Sequence, residues 1–281
     1  MNNSPRSILI TGCSSGIGHA CAHGLARRGW QVIASARRGA DVLRLEGEGL
    51  STVQLDLDDP TSIGAGLAAA LERTGGRLDA LFNNGAYGQS GAVEDLSREV
   101  LRAQFETNLF GWHDLTCRVI PLMRAQGHGR IVNNSSVLGL AALPYRGAYV
   151  ASKFALEGLT DTLRMELHGT GIHISLIEPG PILTRFRANA EAVFRRTVDA
   201  ERSPHRAIYE SMLRRLQRVG ATQPGTLPPE AVLDRLVHAL ESSRPRPRYY
   251  VTWPTHLFGM LRRVLSTRAL DRVMRRIGGR G

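Results

Sequence analysis

The sequence predicts an α/β fold, a single domain whose parallel sheet is covered by helices on both faces. Three observations predict it. Short apolar runs alternate with helical patterns along the chain, a glycine-rich turn joins the first run to the first helix, and 281 residues with 42% hydrophobic content suffice for one substantial core. The runs fall at residues 8–11, 31–36, 52–55, 78–83, 129–135, 172–177 and 248–252 and read as strands, with helical patterns between most of them. No uninterrupted apolar stretch reaches membrane-spanning length and the N-terminus lacks an apolar secretory region, so the expected location is cytoplasmic. Cys13, Cys21 and Cys117 are scattered, which suits a reducing compartment and gives no disulfide framework.

The first run, Ser7 to Thr11, leads directly into Thr11-Gly12-Cys13-Ser14-Ser15-Gly16-Ile17-Gly18, and a helical pattern with Ala20, Leu25 and Ala26 follows. Strand, glycine turn and helix form the context in which such a motif binds a dinucleotide. The glycines allow a tight turn and close approach of backbone to a pyrophosphate, and the helix N-terminus offers free N–H groups at the positive end of a dipole. This makes the sheet Rossmann-like, with Gly12, Ser14, Ser15, Gly16, Ile17 and Gly18 as candidate cofactor contacts.

The second run, Gln31 to Ala36, ends at Arg37-Arg38. NAD users of this fold place a carboxylate here to accept from the ribose 2′-hydroxyl. A neutral Ala36 followed by guanidinium groups suits a 2′-phosphate, so NADP(H) is expected over NAD(H), with Ser14 and Ser35 as further hydroxyl contacts.

Lys153 is the only lysine among 36 basic residues, and it stands four after Tyr149 in Tyr149-Val150-Ala151-Ser152-Lys153. At i and i+4 the two side chains share a helix face, so the ammonium is expected to favour phenolate and pull the tyrosine below its usual value of about 10. A surface pair with one leftover lysine is the plain alternative.

With these two motifs the chain resembles the short-chain dehydrogenases/reductases, in their single-domain TGxxxGxG and YxxxK form, closely over residues 6–184. The resemblance implies an NAD(P)-dependent oxidoreductase, strand order 3-2-1-4-5-6-7, and a catalytic tetrad of Asn108, Ser136, Tyr149 and Lys153. In that scheme Tyr149 exchanges a proton with the substrate oxygen, Ser136 hydrogen-bonds that oxygen, Lys153 tunes the phenol and holds the nicotinamide ribose, and Asn108 fixes a water. It further implies cofactor contacts from Asp56 and Leu57, from Asn83 and Gly85, and from Pro179, Gly180, Ile182 and Thr184. Relatives usually read Asn-Asn-Ala-Gly where this chain has Asn83-Asn84-Gly85-Ala86.

Residues 185–225 are expected to form a substrate lid, helical from Arg185 to about Arg218, with Phe186, Val193, Phe194, Ile208, Tyr209, Met212 and Leu213 as apolar contributors. Together with Leu138, Leu140, Leu143 and Tyr145 they suggest a small apolar carbonyl or alcohol substrate, or simply pack on the domain. The formal charge of +11 is concentrated: residues 244–281 hold ten arginines and one acid, for +9, leaving +2 elsewhere. A specific nucleic-acid surface is therefore not expected. Residues 254–281 form a basic amphipathic tail, which would lie on an anionic membrane surface or, the favoured reading, pack on the body of the protein. Tail and lid together resemble, more softly, the steroid, retinol and long-chain aldehyde branch.

His19 and His23 share a helix face at i, i+4, but no acidic partner accompanies them in sequence, so no metal is expected. A non-catalytic dinucleotide sensor of the same fold is the main alternative. A nucleotide-sugar epimerase fits less well, because three residues, not two, separate Gly12 from Gly16. A homodimer or homotetramer is compatible with the sequence, which names neither.

Overall fold

The computed structural model describes residues 5–217, 220 and 223–278. Seven strands form one parallel sheet: β1 (Ser7–Ile10), β2 (Gln31–Ala36), β3 (Ser51–Gln54), β4 (Ala80–Asn83), β5 (Gly129–Asn134), β6 (Ile172–Glu178) and β7 (Arg248–Tyr250). Their order is β3-β2-β1-β4-β5-β6-β7. The chain winds outward from β1 to β3, then returns to place β4 on the other side of β1, which opens a crevice at the carboxyl ends of these two strands.

Strand periodicity distributes the side chains between two cores. Ile8, Ile10, Val32, Ala34, Phe82 and Val132 face α1 (Gly16–Arg27), α2 (Gly39–Gly47) and α9 (Glu230–Glu241). Leu9, Ile33, Leu81, Ile131 and Ile174 face α3 (Pro60–Arg73), α5 (Gly111–Gln126) and α6 (Gly147–Glu166). Before α5 the chain passes through α4 (Arg98–Phe105) and a π-helical turn over Glu106–Phe110. The fourth strand starts later than the predicted residue 78, because the side-chain amide of Gln126 occupies both backbone groups of Leu78.

The expected lid helix is two helices, α7 (Phe186–Thr197) and α8 (Arg206–Leu216). Pro204 supplies no backbone donor, and the Ser203 hydroxyl instead bonds Asp95 at 2.6 Å, so the chain turns between them. Arg218, the expected helix end, lies outside the described residues, as do 219, 221 and 222 of the lid and 279–281 of the tail. Phe194, Tyr209 and Met212 make a small core with Ala92, whereas Phe186 and Ile208 remain partly exposed. The apolar lid residues therefore divide between packing and an open face.

The tail folds as α10 (Trp253–Val264) and α11 (Thr267–Gly278) and lies on the protein body. The Arg262 guanidinium covers the Phe154 ring at 4.9 Å and reaches the Gly139 carbonyl at 3.4 Å. Gly278 stands against Leu143 and Pro144 in the loop beyond β5, and Gly259 against the Tyr250 ring. Among the described residues no helix is long and apolar enough to cross a membrane.

Candidate active site

The glycine turn is shaped by the absence of side chains. Gly12 has φ +71°, and a Cβ there would come within 2.5 Å of the Gly85 Cα. A Cβ on Gly18 would meet the Gly12 carbonyl oxygen at 2.4 Å, so α1 can begin directly over the turn only with glycine. Asn84 holds this arrangement: its Nδ2 donates to the Thr11 and Gly12 carbonyls at 2.9 and 3.2 Å, and its Oδ1 accepts from Asn134 at 2.9 Å. Ser15 precedes α1 without a side-chain cap, which leaves the first N–H groups of the helix available to an anion. The turn thus fits a dinucleotide pyrophosphate.

The exchanged Gly85-Ala86 pair has a physical reason. A Cβ on Gly85 would lie 3.0 Å from a Leu57 methyl and 3.3 Å from the Gly12 nitrogen, so the smaller residue occupies the tighter position. The Gly85 carbonyl accepts from the Trp112 indole at 2.7 Å, and its N–H donates to the Thr11 hydroxyl. Asn83 does not share this role with its side chain. It points into the sheet interior, donating to Thr116 at 3.0 Å and Asn133 at 2.9 Å.

At the end of β2, Ala36 is buried while Arg37 and Arg38 are exposed beyond it. The Ser14 carbonyl accepts from Arg44 at 2.7 Å, which brings a third guanidinium to this edge of the turn. Ser35 corrects the expectation made for it: its hydroxyl is fully buried within the sheet and cannot contact a phosphate outside. Asp56 accepts from the Asp58 backbone at 3.1 Å, and Leu57 packs under Gly85 and Gly111.

The four tetrad candidates converge from three elements. Tyr149 and Lys153 are one turn apart on α6, Ser136 follows β5, and Asn108 occupies the π-helical turn before α5. Asn108 is fully buried; its Oδ1 accepts from the Tyr87 N–H at 3.2 Å and its Nδ2 donates to the Tyr87 carbonyl at 3.0 Å and to Ser152 at 3.3 Å. It ties the loop after β4 to the helix turn next to Lys153. Ser136 and its neighbour are separated by their partners: Ser135 donates to Glu157, whereas the Ser136 hydroxyl accepts from the Leu138 N–H at 3.1 Å and lies toward the Tyr149 phenol.

The protonation states differ from the sequence expectation. Burial pushes the Tyr149 phenol up to about 12, with the Ser136 hydrogen bond opposing it, and Lys153 does not pull it down. The Lys153 ammonium instead donates to the Asn134 carbonyl at 2.8 Å and lies 4.4 Å from the centroid of the Trp112 ring, against 5.8 Å for the Tyr149 ring. Burial lowers Lys153 to about 7, with the nearby Glu157 carboxylate opposing. In the dry interior each group favours its neutral form. A neutral phenol is the form that gives a proton to a carbonyl oxygen.

Beneath the site lies an ionic cluster that the sequence did not reveal. Arg248 of β7 bonds Glu157 of α6, Glu178 at 2.8 Å and Asp161 at 2.6 Å. Glu178 is fully buried and raised to about 8 by burial and by Glu157. The segment after it faces the glycine turn. Pro179 accepts from the Val137 N–H at 2.8 Å, Gly180 is closed against Thr252, Ile182 pairs with Leu227, and the Thr184 methyl stands 3.0 Å from where a Gly16 Cβ would be.

Phe186 closes the constellation. Its ring meets Tyr149 edge-on at 5.4 Å and packs on Gly88, leaving Tyr149 only 8% exposed. A cavity of about 850 Å³ runs beside this point, from Ser15 and Gly16 past Ile182 and Thr184 to Arg187 and Leu216. The open volume thus adjoins the glycine turn, and the phenol lies under the aromatic cover.

The family model described as short chain dehydrogenase matches residues 6–193. The chain is 42% identical over 269 residues to the uncharacterized oxidoreductase YbbO of Escherichia coli (strain K12), covering 96% of this chain and 94% of that one. It is 36% identical over 261 residues to retinol dehydrogenase 8 of Bos taurus, covering 87% and 81%. Among solved structures, a short-chain dehydrogenase from Streptomyces avermitilis superposes with a TM-score of 0.76 at 28% identity, over 99% of this chain and 96% of that chain.

Proposed function

The chain belongs to the short-chain dehydrogenase/reductase family, and from that premise we propose that it is an NADP(H)-dependent oxidoreductase transferring hydride between nicotinamide and an apolar carbonyl or alcohol of aldehyde, ketone, steroid or retinoid type. Members of the family act on CH–OH groups with NAD(P). The observation that carries the reading is the buried phenol of Tyr149, beside Ser136, one turn from the only lysine and roofed by Phe186.

The residues divide the work. The glycine turn and the uncapped start of α1 would hold the pyrophosphate, Arg37 and Arg38 the 2′-phosphate, and the Pro179–Thr184 segment the nicotinamide end. The dinucleotide supplies the hydride. Tyr149 gives its proton to the substrate oxygen, and Ser136, beside the phenol, stabilises the charge developing there. Lys153, anchored on the Asn134 carbonyl, would hold the nicotinamide ribose, and Asn108 positions that helix turn through Ser152. The apolar cover of Phe186 and the exposed Ile208 and Leu183 support an apolar substrate, as does the similarity to a retinol dehydrogenase.

A panel of aliphatic and aromatic aldehydes, ketones, steroids and retinoids, followed by NADPH and NADH oxidation, tests this reading. Turnover with NADPH on apolar members of the panel is expected. Cofactor binding without turnover on any of them would favour a dinucleotide sensor.

A further inference from the structure

We propose that His19, His23 and Glu48 form a binding site for one divalent transition cation of the zinc class, clipping α1 to α2 behind the glycine turn. The site is independent of the hydride-transfer reading. The two histidines are four apart on α1, so their rings stand one above the other, with centroids 4.5 Å apart and a tilt of 58°. The fold brings in the acidic ligand that their sequence neighbourhood lacks. Glu48 follows α2, and its Oε2 lies 2.6 Å from Nε2 of His19 and 2.9 Å from Nε2 of His23. The three ligand atoms lie within 4.8 Å of one another.

The chemistry of this donor set is selective. Two imidazoles and a carboxylate suit zinc, cobalt, nickel or copper, whereas magnesium and calcium prefer oxygen-only sites. Nitrogen and oxygen ligands about 2.0–2.2 Å from zinc lie a little over 3 Å apart around a tetrahedron, so small rotamer shifts at three partly exposed side chains would admit the ion. The site also has the supporting contact expected of a ligating carboxylate. Arg44 bonds the other oxygen of Glu48 and the Ser14 carbonyl, so the carboxylate is oriented from behind and linked to the glycine turn. On the other side, His19 and His23 line the cavity of about 850 Å³ together with Ser15 and Gly16, which leaves room for a further ligand or water.

One other candidate pair must be kept apart from this one. Cys117 and His113, also four apart, place sulfur 3.6 Å from a ring nitrogen on α5. Calorimetric titration of the intact chain with zinc chloride, beside a magnesium chloride arm, distinguishes them. One zinc per chain and no magnesium binding are expected. Glu48→Gln and His23→Ala should each weaken zinc binding about tenfold or more while Cys117→Ser leaves it unchanged. Zinc should raise the melting temperature of the native chain and not of the His23→Ala variant, whose metal-free circular dichroism verifies that it folds. Absence of zinc binding, wild-type affinity in both site variants, or loss of binding only in Cys117→Ser would overturn the assignment.

Discussion

Residues 6–184 and the helices after residue 185 are held in place by different means. In the first region backbone sets the geometry: Gly12 and Gly18 stand against main chain where no side chain would fit, and Asn84 bonds two carbonyls of the turn. In the second, side chains do the holding, through the small core of Phe194, Tyr209 and Met212 and the arginine-on-ring contact of Arg262. Backbone requirements leave local marks in sequence, such as a glycine at a fixed spacing, and so do side chains one helix turn apart, such as a tyrosine four before a lysine. Contacts between distant side chains leave almost none. The comparison also separates consequences, because damage to the first region should abolish chemistry and damage to the second should retune or loosen it.

The largest effect belongs to Tyr149→Phe, which removes the proton donor and should lower kcat by several orders of magnitude with NADPH affinity nearly intact. Lys153→Arg should also be severe, since a planar fork cannot reproduce an ammonium bonded to the Asn134 carbonyl over the Trp112 ring. Near-normal turnover in either variant would show that the backbone-held region is not the seat of the reaction.

Next comes cofactor choice. Losing one charge-assisted contact to a phosphate costs about 1.5–3 kcal/mol, roughly ten- to hundredfold in affinity. Arg37→Ala should therefore weaken NADPH far more than NADH, and Ala36→Asp should reverse the preference. Equal binding of both cofactors by the native chain would contradict the assignment.

Protonation gives a third expectation. A phenol raised to about 12 stays protonated through neutral pH, so the rate of carbonyl reduction should not fall between about pH 7 and 9 for want of that proton. The buried lysine has a sign of its own. Unfolded, it keeps its proton to about 10.4; folded, it releases it near 7. Between these values the unfolded chain binds more protons, so this group makes folding more favourable as pH rises. The melting-temperature difference between Lys153→Met and the native chain, measured from pH 6 to 9, should shift in favour of the native chain with rising pH; an opposite slope would mean that Lys153 stays charged in the fold.

Smaller effects belong to the second region. Phe186→Ala uncovers Tyr149 and should raise KM for apolar substrates about tenfold, in line with losing one large apolar contact, with less change in kcat. Truncation after Pro254 removes α10 and α11 from the Gly139–Pro144 loop and should lower the melting temperature by several degrees. An unchanged melt, with vesicle binding that needs anionic lipid and is lost on truncation, would move the tail from the protein body to a membrane surface.

The same contrast decides what was legible. The glycine turn and the four tetrad candidates could be picked out because each has a short motif, and the strand order followed from the family those motifs resemble; the structure brings the four candidates together. Adjacent pairs were harder, since a shift of one residue reverses the face of a strand. Asn83 turned inward where Asn84 pins the turn, and Ser35 proved buried. The cluster of Glu157, Glu178 and Arg248, and the pairing of Glu48 with His19 and His23, join residues from different elements and had no local signal. Burial also reversed the expected lysine effect on Tyr149, because i and i+4 spacing predicts proximity and says nothing of how dry the site is.

The most direct test is a single-turnover experiment with NADPH carrying deuterium at the transferable position and a long-chain aldehyde, for the native chain and for Tyr149→Phe. The account predicts one deuterium on the alcohol carbon with the native chain and almost none with the variant, although fluorescence shows the variant still saturated with NADPH. Tight NADPH binding by the native chain with no deuterium delivered to any apolar aldehyde or ketone would contradict it.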